Sequence, residues 1–231
     1  MFGFFDPTMV LLVPALIFAF WAQWKVQSTY KKFSRVPAAN GRTGREMALA
    51  IMARNGVADV SVEQVGGVLS DHYDPRAKQV RLSPGNYQDH SIASIAVAAH
   101  EVGHVLQHAE RYTPLALRTA LAPVASIGSM AAFPLFMIGL LFNIPGVSKV
   151  LMDLGILFFT GAVLFQLITL PVEFDASKRA LAQLTSSGDL RPQEVGQAKQ
   201  VLDAAALTYV AAAAMAALQL LRLVLLRNSR R

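Results

Sequence analysis

The stretch HEVGHVLQH, from His100 to His108, holds three of the five histidines in this chain, and its first five residues fit the pattern H-E-x-x-H. On an α-helix, residues four apart share one face about 6 Å apart along the axis, so the imidazoles of His100 and His104 can converge on one metal ion. Glu101 stands beside the first of them, where its carboxylate can serve as general acid/base toward a zinc-activated water. His108 lies about 12 Å along the same helix from His100, too far to share that ion. Peptidases that take a third histidine downstream need a glycine break, H-E-x-x-H-x-x-G-x-x-H, and here those positions hold Gln107 and Glu110. His108 is therefore expected to support a ligand or the substrate, or to be a polar residue near a membrane surface.

A catalytic zinc takes three protein ligands and keeps one position open. The expected third donor is Glu173, in LPVEFDASKRAL, with Asp175, Glu194 and Asp203 as alternatives. Alone, an acidic residue at a helix start needs only the helix dipole to explain it. Beside an H-E-x-x-H motif without a third histidine, the ligand reading is preferred.

Composition says where these residues must sit. The 231-residue chain is 54% apolar and only 16% charged, too greasy for an ordinary soluble domain. Residues 9–24 carry no charge and end in Trp21 and Trp24; residues 121–144 carry none, and residues 150–172 only Asp153. The last two are long enough to cross a hydrocarbon core of roughly 30 Å. Ala204 to Leu221 is a fourth, alanine-rich candidate. No Lys or Arg precedes the first run, whereas Lys25, Lys31 and Lys32 follow it, which favours an uncleaved anchor with its N-terminus outside over a signal peptide. Between His104 and Glu173 the chain then crosses twice and returns to the side it left, so both ligand segments face one compartment, expected to be the cytoplasm.

The net charge of +6 could suggest nucleic-acid binding. The basic residues cluster past the spans instead (Lys31 to Arg45, Arg111 and Arg118, Lys178 to Arg191), as the positive-inside rule expects, and no nucleic acid is expected as a partner. Without cysteine there are no disulfides and no thiolate zinc sites. One feature conflicts with four crossings from an outside start: the tail RLVLLRNSRR carries four arginines, which favour the inside. Residues 204–221 would then either span or lie along the interface.

The expected fold is a mainly α membrane protein, with three or four transmembrane helices and a small α+β zincin-like metallopeptidase domain. Residues 1–26 form the anchor and 27–120 the zincin-like domain. Residues 121–172 form a two-span hairpin, 173–203 a helical segment with the third ligand, and 204–231 a transmembrane or interfacial helix. Within the second segment, Thr43 and Glu46 have capping-box spacing ahead of a helix that stops at Gly56. Residues 58–66 alternate as a strand, as do residues 79–83, the candidate edge strand for an extended substrate. A helix runs from His90 to about Glu110, and another is expected to begin after Pro171.

The whole arrangement resembles the bacterial membrane-bound neutral zinc metallopeptidases of the YugP-like family. The likeness rests on the anchor, HEVGHVLQHAERY, the hairpin, LPVEFDASKRAL and VLDAAALTYVAAA, and covers nearly the whole chain. It implies Zn2+ held by His100, His104 and Glu173, with Glu101 as catalytic acid/base. The order of parts is also similar to heat-shock-type membrane metalloproteases and prenyl-protein endopeptidases. Those carry an Asp four residues after the ligand Glu to support a zinc-bound His; this chain has Ser177 there.

The expected function is a membrane-bound zinc endopeptidase of the bacterial inner membrane, acting on peptide or protein substrates near the bilayer surface. A homo-oligomer or a regulatory membrane partner is compatible with the chain but not specified by it. His108, Tyr112, Arg179 and Tyr209 are candidates to stabilise the oxyanion, and Ser177 to support a ligand. The rival reading is a non-hydrolytic membrane adaptor with a structural or degenerate metal site.

Overall fold

A computed structural model describes residues 6–142 and 144–229. The chain is a mainly α membrane protein that divides into two compact units. One comprises Gln23–Leu115 and Pro171–Leu207, so the segments expected separately at 27–120 and 173–203 fold together. The other comprises Met1–Ala22, Ala116–Leu170 and Thr208–Arg231.

The second of these contains the apolar lengths of four helices long and apolar enough to cross a membrane. They are Pro7–Phe33 (a 3-10 turn leading into α1, Val13–Phe33), α5 (Thr113–Leu141), α6 (Ser148–Ser186) and α7 (Pro192–Asn228). Phe20, Ile127 and Met130 are each at least 70% exposed, the pattern of side chains that face lipid rather than water. Without a hydrophobic drive between helices, packing relies on small residues. A Cβ on Gly155 would lie 2.7 Å from the Ala132 carbonyl oxygen, and one on Gly139 2.5 Å from that of Ser148. Phe136, Met152, Leu223 and Leu226 fill the core beside them.

The charges of this unit sit at helix ends. Arg222 donates to Asp6 at 2.9 Å, and Arg227 to Asp153 at 2.7 and 2.8 Å. Two of the four tail arginines are thus paired with acids from the starts of the first and third apolar helices. Arg230 and Arg231, like residues 1–5 of the expected anchor, lie outside the described residues.

In the other unit, α2 (Gly44–Arg54) begins with the expected capping box between Thr43 and Glu46, and Gly56 past its end has φ +69°, the left-handed conformation that stops a helix. Three short strands follow among the described residues: β1 (Ser61–Gln64), β2 (His72–Asp74) and β3 (Gln79–Leu82), in the order β1-β3-β2. β1 pairs parallel and β2 antiparallel to β3. The candidate edge at 79–83 is thus corrected: β3 is central, with Val80 and Leu82 fully buried, and the edges are β1 and β2. Its alternation described a core-facing strand equally well; only pairing across the sheet separates centre from edge.

A short helix, α3 (Pro84–Gln88), leads into α4 (Ile92–Ala109), which packs against α2 and the sheet in a core of Met47, Ile51, Val80, Leu82, Ile95, Val102 and Leu184. A second expectation is also corrected. The helix expected to start just past Pro171 is not a separate element: α6 runs unbroken from Ser148 to Ser186 with Pro171 inside it. Proline removes one backbone hydrogen bond there, but long membrane helices tolerate that loss.

Candidate metal centre

The helix that carries HEVGH starts at Ser91, whose hydroxyl accepts from the Ser94 amide, and continues through the alanine-rich run IASIAVAA. Small side chains let neighbours close in, and α4 is buried on nearly every side as far as Gln107. The matching face of α6 is also small: Val172, Glu173, Ala176, Ala180 and Leu184, three and four residues apart, are all buried. The two helices touch through backbone at Gly103, where any Cβ would overlap the carbonyl oxygen of Ala176. Glycine at the fourth position of the motif is what lets α6 bring Glu173 up to the histidines.

Three donors meet as a result. Glu173 Oε2 lies 3.2 Å from His100 Nε2 and 3.5 Å from His104 Nε2, and the ligand atoms all fall within 4.8 Å of one another. The imidazoles stand edge to face, their centroids 4.9 Å apart. A tetrahedral zinc at about 2.0–2.2 Å from nitrogen and oxygen donors requires donors about 3.4 Å apart, which is the separation observed from Glu173 to each histidine. The donor types fit as well, since two imidazoles and a carboxylate are the set that a catalytic zinc takes in the absence of thiolates.

The electrostatics point the same way. Glu101 and Glu173 are both buried, 7% and 2% exposed, beside the two histidines. Burial pushes the Glu101 carboxyl above the usual carboxylate range, more than the neighbouring His100 and His104 pull it down. Burial alone would lower His104, but the hydrogen bond to Glu173 and the charges of Glu101 and Glu173 raise it. Two carboxylates in a buried cluster favour a cation among them.

Each histidine is held from behind. His100 Nδ1 lies 3.1 Å from Ser177 Oγ, one turn past Glu173 on α6. His104 Nδ1 lies 3.0 Å from Gln107 Oε1. The Gln107 side chain is fully buried, and its amide nitrogen donates to the Val172 carbonyl at 2.8 Å and to Asp175 Oδ2 at 2.9 Å. Asp175 in turn accepts from Arg179 Nε at 2.5 Å, and Arg179 Nη1 donates to Glu110 at 2.6 Å.

The other expected site residues are placed differently. Asp175 faces Gln107 and Arg179, Glu194 accepts from the Ala39 and Arg191 amides, and Asp203 pairs with Lys199, so none of the alternatives joins the donor cluster. Arg179 is engaged by two carboxylates and lies over the Tyr112 ring at 5.7 Å. The His108 ring reaches β2, with Nδ1 2.8 Å from the Tyr73 hydroxyl. Tyr209 belongs to the other unit. Sequence reasoning missed Gly103 and Gln107. Gly103 is visible within the motif, but its partner Ala176 is far along the chain; in the sequence Gln107 reads only as the absence of a helix-breaking glycine.

With this geometry in place, comparison with known proteins is decisive. The family described as "Putative neutral zinc metallopeptidase" matches residues 8–228. The chain belongs to that family. It is 50% identical over 216 residues to "Putative membrane protease YugP" of Bacillus subtilis (strain 168), covering 94% of each chain. No solved structure matches it. Membership in a neutral zinc metallopeptidase family makes the cofactor Zn2+, in keeping with the His-His-Glu group.

Proposed function

We propose that this chain is a membrane-bound zinc endopeptidase in which His100, His104 and Glu173 hold the metal and Glu101 is the general acid/base. The observation that carries the reading is the meeting of three donors within 4.8 Å of one another, with Glu173 3.2 and 3.5 Å from the two imidazoles, beside a buried carboxylate from the same motif. Zinc, when bound, polarises the scissile carbonyl and lowers the pKa of a water to about 7. Glu101 takes the proton of the attacking water and delivers it to the departing amine. Burial raises its proton affinity, which suits a group that must take a proton from water.

An extended substrate lies along β2. That strand is a sheet edge, and the Tyr73–His108 contact ties it to the motif helix, so main-chain bonding there would lay a peptide beside the donors. The site faces the cytoplasm at the bacterial plasma membrane, and its substrates are proteins or peptides near that surface. Two crossings separate His104 from Glu173, and basic residues flank both segments. A fourth crossing returns α7 to the outer side, where Asp6 and Asp153 neutralise Arg222 and Arg227.

The test is zinc content per chain after chelator-free purification in detergent, with cleavage of a quenched-fluorescence peptide library as second readout. One zinc is expected in the native protein and in Glu101→Gln, and none in Glu173→Ala. Glu101→Gln should lose about 10²–10⁴-fold in hydrolysis. Undiminished hydrolysis by Glu101→Gln would remove its role, and a native protein without zinc would favour an adaptor with a degenerate site.

A further inference from the structure

The Gln107 side chain has a direction that its surroundings dictate. Two acceptors with no hydrogen to give, the Val172 carbonyl and the Asp175 carboxylate, lie 2.8 and 2.9 Å from one end of the amide. That end must be the NH2 group, which has two hydrogens to supply. Asp175 is itself locked as an acceptor by Arg179, which is locked by Glu110. The other end, the amide oxygen, is then turned on His104 Nδ1 at 3.0 Å, and an oxygen can only accept. Nδ1 must carry a proton, so in the neutral ring that binds a metal the lone pair is on Nε2, which is the nitrogen directed toward Glu173.

We infer that Gln107 is a positioning residue for zinc, fixing the tautomer of His104 and bracing its ring against the backbone next to Glu173. The inference rests on the zinc-site reading above. The brace is double. Gln107 hangs from α4 one turn past His104 and is bonded to the carbonyl of Val172, the residue before the third ligand on α6. One side chain thus sets both the ring orientation of His104 and the approach of Glu173. His100 has no such determinant in Ser177, because a hydroxyl can donate or accept and leaves the His100 tautomer free. The two histidines are therefore unequal, with His104 the pre-set ligand.

The experiment measures zinc affinity by competition with a chromophoric chelator, together with the visible spectrum of the Co(II)-substituted protein. It uses the full chain in detergent. Gln107→Met keeps the volume and removes both the acceptor and the donors. It should bind zinc about 10–100-fold more weakly, the usual cost of losing a ligand's outer support, and change the Co(II) band intensities. The double variant Gln107→Glu with Asp175→Asn reverses the amide–carboxylate pair and still offers an oxygen to His104 Nδ1–H, giving up only the donor to the Val172 carbonyl, so it isolates the tautomer lock from the backbone brace. It should recover zinc affinity to within about tenfold of native and restore the Co(II) bands.

Native affinity and a native Co(II) spectrum in Gln107→Met would overturn the inference. So would a double variant that folds and still binds zinc as poorly as Gln107→Met. If Gln107→Met does not fold, the double variant decides: recovered affinity supports the tautomer lock, and lost affinity refutes it. Failure of the underlying zinc site is distinguishable, because the native protein would then bind no zinc in the same titration.

Discussion

Both units of this protein bring helices to backbone contact through glycine, but the contacts have different consequences. In the membrane unit, Gly155 meets Ala132 and Phe136 while Gly139 meets Ser148 and Met152, and the gain is close packing where lipid offers no hydrophobic drive. In the peptidase unit, Gly103 meets Ala176, three residues past Glu173, and the gain is a distance between donors. Charge is distributed with the same contrast. The membrane unit pairs Asp6 with Arg222 and Asp153 with Arg227 at helix ends, whereas the peptidase unit buries Glu101, His104, Gln107 and Glu173 together. A close helix contact is ordinary; one flanked by buried ionisable groups marks chemistry.

The contrast can be broken by substitution. The largest effect is expected for Gly103→Ala, whose methyl group must push α6 away from α4. Displacing a reacting group by about 1 Å costs about 10²-fold in rate, so hydrolysis should fall at least that far, with loss of bound zinc. Full zinc occupancy and native turnover in that variant would show that Gly103 only packs.

Next comes Gly155→Ala, an overpacking of similar kind in the membrane unit. It should lower stability by about 1–3 kcal/mol in detergent denaturation while leaving zinc content at one per chain. If zinc were lost there too, the separation of packing from ligand geometry would fail. The smallest effect belongs to Asp6→Asn, which removes the charge from one partner of a partly buried ion pair but keeps an oxygen that can accept from Arg222 and Thr8. A loss of at most about 1 kcal/mol, shrinking as salt is added, should appear in the same denaturation series.

Much of the site was legible because its determinants are local. The i, i+4 spacing of His100 and His104, the adjacent Glu101 and the Thr43–Glu46 cap need only the helical repeat to be read. Glu173 follows from its place at the end of the third span and from the two apolar spans between it and the motif. The failures share the opposite property. Residues 79–83 alternate correctly for a strand, yet their rank within the sheet depends on β1 and β2. Pro171 reads locally as a helix start, yet α6 passes through it. The orientation of Gln107 depends on Val172 and Asp175, more than sixty residues away.

The sequence by itself determined which side chains are of metal-binding type, which carboxylate stands beside them and which lengths of chain are apolar enough to enter a bilayer, because each follows from residue type and short-range periodicity. Only the tertiary structure decided that Glu173, and not Asp175, Glu194 or Asp203, lies with the two histidines in one group that could hold a metal. It also decided that Gly103 lies against the Ala176 backbone, that the Gln107 amide meets His104, and that two of the tail arginines have acidic partners. The physical reason is range: side-chain chemistry and helical spacing act within a few residues, whereas distances of 3 Å between segments seventy residues apart exist only once the helices have packed.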